Sequence, residues 1–219
     1  MRFDENYIKI AVFNLKQIIG TTFPNPPVFS ILVESDKLFK NHKIVSFGIT
    51  SFGGRPHAES NAIEKFKFVS NKKYTLYSTL EPCCHLGRSE SCTSKIIKSK
   101  FIQRVVFSVF DPDKRVSGLG KKELEKENIK VVSGICEEEV KKIYEGYFLN
   151  KLEGRPKIIL KVAMSLDGYI TKHKKKRTSI TNRNVNKFSN ILRSEFDGIL
   201  VGSNTVKIDN CLLTCREQV

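Results

Sequence analysis

The chain has no run of about 18 apolar residues, the length a helix needs to cross a bilayer, so no membrane-spanning segment and no membrane partner are expected. It has no Cys-x-x-Cys pair, because Leu86 stands three residues after Cys83. Histidine is scarce, with four in 219 residues. Acid is short too: 23 Asp and Glu face 38 Lys and Arg, a formal net charge of +15. Such a balance invites a nucleic-acid reading. The lysines are scattered, however, and only Lys172 to Arg177 (KHKKKR) forms a run. The charge therefore speaks to solubility and non-specific binding, and a nucleic-acid partner is not expected. A positive field would also favour a phosphorylated small substrate. The N-terminus, MRFDENYIKI, is acidic and amphipathic, so no secretory leader is expected and the location should be cytoplasmic. Without a leader, six cysteines suggest metal binding or plain burial rather than a disulfide scaffold.

What is present concentrates in Thr79 to Cys92 (TLEPCCHLGRSESC) and in His57-Ala58-Glu59 upstream. Together they offer imidazole, thiolate and a carboxylate that need not be a ligand. Zinc takes such ligands in a tetrahedron, and a catalytic zinc keeps one corner for water. Zinc deaminases place a glutamate two residues after the ligating histidine and follow with Pro-Cys-x-x-Cys. Here His57 and Glu59 give the first half and Pro82-Cys83 opens the second, but the next well-placed cysteine is Cys92. Cys84 and His85 are rival ligands by chemistry alone. Cys136, Cys211 and Cys215 have no histidine at ligand spacing and read as buried or loop residues. His42 and His173 are expected at the surface.

Periodicity orders the rest. Asp4 to Ile19 is an amphipathic helix with Ile8, Ala11, Val12, Leu15, Ile18 and Ile19 on one stripe, ended by Gly20. Pro24-Asn25-Pro26-Pro27 is a rigid loop. Val28 to Val33 and Lys43 to Ile49 form a hairpin. A helix starts near His57, Tyr74 to Thr79 is a strand, and Cys92 to Lys100 is a short helix. Arg104 to Phe110 and Ile129 to Ser133 are strands, with helices over Lys121 to Asn128 and Glu137 to Leu149. Strands alternating with helices after a hairpin predict an α/β sandwich with a mixed sheet. The pattern breaks over residues 151–156, read as a linker between a domain over 1–150 and a second over 157–219. In the second, Lys157 to Ala163 and Gly198 to Gly202 read as strands.

The string LEPCCHLGRSESC resembles the deaminase half of bifunctional riboflavin-biosynthesis proteins of the RibD type. Thr79, Leu80, Glu81, Pro82, Cys83, His85, Gly87, Arg88 and Cys92 match that family's longer cysteine loop. Pro156, Leu160 to Ala163, Ser165 to Gly168, Val201 to Val206, Asp209 and Leu213 to Arg216 are similar to the start of its reductase half. The resemblance implies a cytidine-deaminase-like three-layer α/β/α sandwich, followed by the beginning of a dihydrofolate-reductase-like α/β domain that is expected to be incomplete. It implies one Zn2+ on His57, Cys83 and Cys92, with Glu59 as catalytic acid and base and Cys84, a serine in the family, as a spectator. It implies substrate contacts at Asn25, His85 and Arg88, and in the reductase part at Arg193, Leu213 and Arg216. Ala163, Ser179, Thr205 and Asp209 would line NADPH. The reaction implied is hydrolytic deamination of 2,5-diamino-6-(5-phosphoribosylamino)pyrimidin-4-one, then NADPH-dependent reduction of the ribose. The chain departs from the family pattern at Phe29 (glycine), Thr50 (histidine), Asp113-Lys114 (Asn-Pro) and Arg177-Thr178-Ser179 (Ser-x-Trp).

Two rivals stand beside this reading. A tRNA-type deaminase shares the H-x-E core but expects Cys-x-x-Cys and gives no reason for the SLDG and GSNTV segments. A diverged, zinc-stabilised protein without activity is the other. Whether the protein is a homo-oligomer is left open by the sequence.

Overall fold

The computed structural model describes residues 2–36, 40–69, 71–85, 90–173 and 176–216. It divides into two units, Met1–Lys157 and Ile158–Val219. The first opens with helix α1 (Arg2–Leu15), which carries Asp4 and Glu5 in its first turn, where the helix dipole favours negative charge. A 3-10 turn over Lys16–Ile18 follows, and Gly20 takes a positive φ of 81°. Ile8, Ala11, Val12 and Leu15 recur at helical spacing and are fully buried. Each large aliphatic side chain so buried contributes about 1.5–3 kcal/mol.

Strands β1 (Phe29–Ser35) and β2 (Lys43–Ile49) pair antiparallel, as the apolar alternation predicts. Helix α2 (Ala58–Glu64) follows, then β3 (Lys73–Leu80), α3 (Cys92–Ser99), β4 (Ile102–Val109), α4 (Leu119–Lys126) and β5 (Lys130–Ser133). The sheet order is β2-β1-β3-β4-β5. β1 lies antiparallel to β2 and β3, while β3–β4 and β4–β5 are parallel. The sheet is therefore mixed.

Side chains that alternate along the strands feed two cores. On one face Ile31, Val33, Tyr77 and Val106 pack with α1 and with Val140 and Tyr144. On the other, Leu32, Leu76, Val105 and Phe107 pack with Ala62, Ile96 and Leu124. Helix, sheet and helix make three layers. The charged residue that α1 buries is accounted for: Arg104 donates to both carboxylate oxygens of Asp4 at 2.7 Å, and Tyr77 donates to Oδ1 at 2.9 Å. Burial opposes ionisation of Asp4, but the Arg104 and Tyr77 hydrogen bonds win and hold its pKa below the ordinary value.

The expected helix over Glu137 to Leu149 is in fact two. α5 (Glu137–Ile143) and α6 (Glu145–Glu153) meet at Tyr144, which leaves helical geometry so that its ring enters the core. α6 includes Lys151 to Glu153, and Gly154, with φ 66°, caps it.

Gly48 on β2 sets how closely α2 approaches the sheet. A Cβ there would lie 2.0 Å from the Ala58 carbonyl oxygen and 2.5 Å from the Ala62 nitrogen. Both are backbone atoms, so the helix itself would have to move. Gly48→Ala is expected to destabilise the fold by about 1–3 kcal/mol or more and to lower zinc retention, because α2 carries the zinc-motif histidine at its start. Urea unfolding and metal content measure the two effects together.

The second unit corrects two expectations. Neither 157–163 nor 198–202 forms a strand, and the described residues of this unit contain none. A strand needs a neighbour to take up its N–H and C=O groups. Here Ile158, Leu160 and Leu200 stay largely exposed instead of pairing. The unit holds helix α7 (Arg183–Leu192), capped by the Asn182 side chain, a 3-10 turn and helix α8 (Ser203–Asp209).

Candidate metal centre

His57 is the N-cap of α2 in position but not by side chain: no capping bond uses its ring. Its backbone is extended, and the imidazole is left to face the loop after β3. Cys92 is the first residue of α3, whose start is fixed by Ser91 Oγ accepting from Ser94 N at 3.2 Å. Cys83 lies between β3 and α3. Its sulfur sits 3.4 Å from the Cys92 backbone nitrogen, a helix-start N–H that favours thiolate.

The three donors converge. His57 Nδ1 is 3.5 Å from Cys83 Sγ and 3.3 Å from Cys92 Sγ, and all three ligand atoms lie within 4.8 Å of one another. A zinc–sulfur bond of about 2.3 Å and a zinc–nitrogen bond of about 2.0 Å at a tetrahedral angle place nitrogen and sulfur roughly 3.5 Å apart. The donor set and its spacing fit zinc. Nδ1 is then the ligand nitrogen and Nε2 carries the proton. The 3.4 Å approach of Asn25 Nδ2 to Nε2 is accordingly a packing contact, since both atoms bear hydrogen. Asn25 Nδ2 instead donates to the Gly54 carbonyl at 2.8 Å.

Glu59 lies in the first turn of α2, buried, with Oε2 3.5 Å from Cys92 Sγ. Burial and the Cys83 charge push its carboxyl up to about 7, against the opposing pull of His57. The hydrogen bond from Cys92 and the neighbouring His57 hold the Cys83 thiol down at about 4, while the same bond and burial raise Cys92. For His57, burial works against the charged form, but Cys83 and Glu59 outweigh it and the pKa rises.

The cluster opens into a cavity of about 380 Å³. Asn25, His57, Glu59, Cys83 and His85 all line it. Arg88 lies outside the described residues. Thr50, where a histidine was expected from the resemblance, also lines the cavity but is used internally: its hydroxyl accepts from Val28 N at 3.0 Å. Phe29 stacks on Phe47 with rings 5.7 Å apart and does not reach the cavity lining. His42 is half-buried against Phe3 and Tyr7, not at the surface as expected, whereas His173 is exposed.

Glu81, read in sequence only as part of the motif, is a buried latch. Its carboxylate accepts from Gly118 N at 2.9 Å and Lys121 N at 3.0 Å, tying the cysteine loop to the start of α4. Gly120 permits this approach, since a Cβ there would lie 2.3 Å from the Pro82 carbonyl oxygen. Sequence reasoning missed Arg115, Tyr147 and Lys151, which line the same cavity as Asp113, singled out in the sequence as a departure from the family pattern. The i, i+4 pair Tyr147 and Lys151 signals one helix face but not what that face meets. Arg115 donates through Nε and Nη2 to Asp113 at 2.9 and 2.6 Å, and this bond first of all holds the Asp113 carboxyl well below the usual range.

In the second unit, Arg193 and Leu213 come together on a cavity of about 360 Å³, where Arg193 donates to the Thr214 carbonyl at 3.2 Å. Arg216 is exposed, with its backbone N–H on Asn190 Oδ1. Ala163, Ser179, Thr205 and Asp209 do not line that cavity.

Residues 1–109 match the family model of the cytidine and deoxycytidylate deaminase zinc-binding region, and residues 156–219 match that of the RibD C-terminal domain. The riboflavin biosynthesis protein RibD of Aquifex aeolicus is 40% identical over 213 residues, covering 97% of this chain and 58% of that protein. The chain belongs to the RibD family. RibD of Escherichia coli is 33% identical over 213 residues, 97% of this chain and 56% of that protein. Among solved structures, RibD of Acinetobacter baumannii superposes with a TM-score of 0.87 at 30% identity, covering 98% of this chain and 58% of that one. A diaminohydroxyphosphoribosylaminopyrimidine deaminase/5-amino-6-(5-phosphoribosylamino)uracil reductase of Thermotoga maritima gives a TM-score of 0.85 at 34% identity, covering 98% and 60%. The chain thus spans little more than half the length of the RibD proteins it matches. The first unit has the cytidine-deaminase-like α/β fold of the RibD family, and His57, Cys83 and Cys92, which could hold a metal ion, fall within the stretch that matches the deaminase zinc-binding region. No helix of the described residues is long and apolar enough to cross a membrane.

Proposed function

We propose that this chain carries the deaminase step of riboflavin biosynthesis, releasing ammonia from 2,5-diamino-6-(5-phosphoribosylamino)pyrimidin-4-one. The observation that supports it is the meeting of His57 Nδ1, Cys83 Sγ and Cys92 Sγ, with the buried Glu59 carboxylate beside them, on one cavity. His57, Cys83 and Cys92 would hold a zinc ion, which would supply Lewis-acid activation of water at neutral pH. Glu59, two residues past the ligand histidine, is near the ligands without being one of them. It accepts the proton that water gives up and delivers it to the departing amine, so one carboxylate serves as base and then acid. Asn25 and His85 contact the substrate from the lining, and the resemblance adds Arg88.

In this reading the deaminase domain occupies about residues 1–150, a linker follows around 151–156, and 157–219 begin the reductase domain. In the complete family protein that domain reduces the ribose with NADPH. Arg193, Leu213 and Arg216 would hold the phosphoribosyl product there, and Ala163, Ser179, Thr205 and Asp209 the cofactor. The location is cytoplasmic.

Metal analysis with an ammonia-release assay tests the reading. Purified protein is expected to carry close to one zinc per chain. Stripping it with a chelator should abolish ammonia release from the phosphoribosylamino-pyrimidine, and added Zn2+ should restore it. Turnover that survives complete removal of zinc would refute the mechanism.

A further inference from the structure

His57 and Cys92 each sit at a helix start, but Cys83 lies in the loop between β3 and α3, so no helix or strand fixes it. Two ties on either side of it do, and both lead to α4. The first is Glu81, two residues earlier. Its backbone N–H donates to the Val109 carbonyl at 2.9 Å and continues the pairing of β3 with β4. Its side chain is 2% exposed. Oε1 accepts from Lys121 N at 3.0 Å, and Oε2 from Gly118 N at 2.9 Å and Asp111 N at 3.4 Å. Gly118 is the N-cap residue of α4 and offers no side chain for the task. A helix start leaves such N–H groups without partners, and a capping box satisfies them from within the helix. Here the acceptor comes from 37 residues away. Only Pro82 separates Glu81 from Cys83. Its ring fixes φ, so a shift of Glu81 passes on to the ligand.

The second tie is Thr93, fully buried and next to Cys92. Its N–H donates to the Cys83 carbonyl at 3.1 Å, which stitches the two cysteine backbones together. Its hydroxyl has one proton to give. Glu123 Oε2, on α4, is the nearer acceptor at 2.9 Å, and the Cys83 carbonyl lies at 3.3 Å. One helix thus braces the same ligand from both sides. Capping of α4 alone accounts for the Glu81 bonds but not for the Glu123–Thr93 bond beyond Cys83. Glu81 also lines the cavity, yet each of its oxygens is already taken by a backbone N–H.

We propose that Glu81 and Thr93 are positioning residues of the metal centre. Anchored on α4, they preset Cys83 beside Cys92, so that binding an ion does not have to order the cysteine loop. Groups that orient ligands in this way govern metal affinity without touching the metal. The proposal rests on the reading of His57, Cys83 and Cys92 as zinc ligands.

The test uses the full chain, stripped of metal and titrated again. Competition with a chromophoric chelator gives zinc affinity, the visible bands of the Co2+ form report ligand geometry, and melting of the metal-free protein reports the fold. Glu81→Gln keeps the shape but turns an NH2 towards a backbone N–H, and Thr93→Val removes the hydroxyl at constant volume. Both are expected to bind zinc about tenfold or more weakly than the parent and to weaken or shift the Co2+ bands. Added Zn2+ should restore most of the ammonia release, with KM for the pyrimidine little changed. Glu125→Gln, at an exposed position of the same helix, should bind zinc like the parent.

Parent-like zinc affinity and Co2+ bands in both variants, whatever their melting temperatures, would reduce Glu81 and Thr93 to residues of the fold and overturn the proposal. An equal loss in Glu125→Gln would do the same. Where a metal-free variant is unfolded, the Co2+-loaded form decides: shifted bands support the role and parent bands overturn it. A parent that binds zinc but releases no ammonia from any pyrimidine would sink the deaminase reading and leave the positioning role standing. A parent without tetrahedral Co2+ bands would remove the ligand set and the proposal together.

Discussion

Glu59→Gln is expected to leave a folded, zinc-loaded protein that releases ammonia about 10²–10⁴-fold more slowly, the range that general acid–base catalysis contributes. Glutamine keeps the volume and shape of the side chain, so packing around the start of α2 should not change. The ligand atoms of His57, Cys83 and Cys92 are untouched. What disappears is a group able to take a proton and return it, because a neutral amide does neither. Burial disfavours the ionised carboxylate at this position. Removing that charge should therefore leave thermal stability unchanged or slightly higher, the usual trade between a working site and a comfortable fold. Zinc content, melting temperature and kcat measured on one preparation separate the outcomes. A variant with full zinc and undiminished kcat would remove Glu59 from the mechanism. A variant that loses zinc would show that the carboxylate supports the ligand set instead.

Much of this site was legible in the sequence because its spacing is chemical. His57 and Glu59 stand two apart at a helix start, which puts one at the N-cap and the other within the first turn. The hairpin of β1 and β2 and the stripe of α1 were legible because apolar periodicity reports which face is buried. The break at Tyr144 was not, since an apolar aromatic fits a helix stripe equally well whether the backbone continues or turns. Glu81 is a related case. A carboxylate in a zinc motif suggests chemistry, and only three-dimensional placement shows it accepting backbone N–H groups from Gly118 and Lys121. The meeting of Asp113 and Arg115 with Lys151 was illegible for a different reason. Asp113 and Arg115 are neighbours on one loop, but Lys151 comes from a helix far along the chain, and nothing local links the two segments. The strands expected over 157–163 and 198–202 failed because periodicity identifies a segment suited to pairing but says nothing about whether a partner is at hand.

Hydrogen exchange should split the chain sharply. In the first unit β3 and β4 lie in the interior of a five-stranded sheet, with Leu76, Tyr77, Val105, Val106 and Phe107 fully buried. Their amides exchange only through global opening, which for a stable domain costs roughly 5–15 kcal/mol. In the second unit, none of the described hydrophobic side chains is buried. Ile158, Leu160 and Leu200 are 83%, 85% and 98% exposed, and no ladder protects the segments that carry them. Those amides should exchange at close to the rate of an unstructured peptide, at least about a thousandfold faster than the β3 and β4 amides. α7, with its Asn182 cap, should fall between the two. Mass-spectrometric exchange on peptides covering 74–80, 102–109, 157–164 and 198–202 measures the contrast. Equal protection in 74–80 and 157–164 would mean that the second unit buries these apolar runs in solution. In that case an association between copies, tested by the concentration dependence of the protection, would be the place to look for the cover.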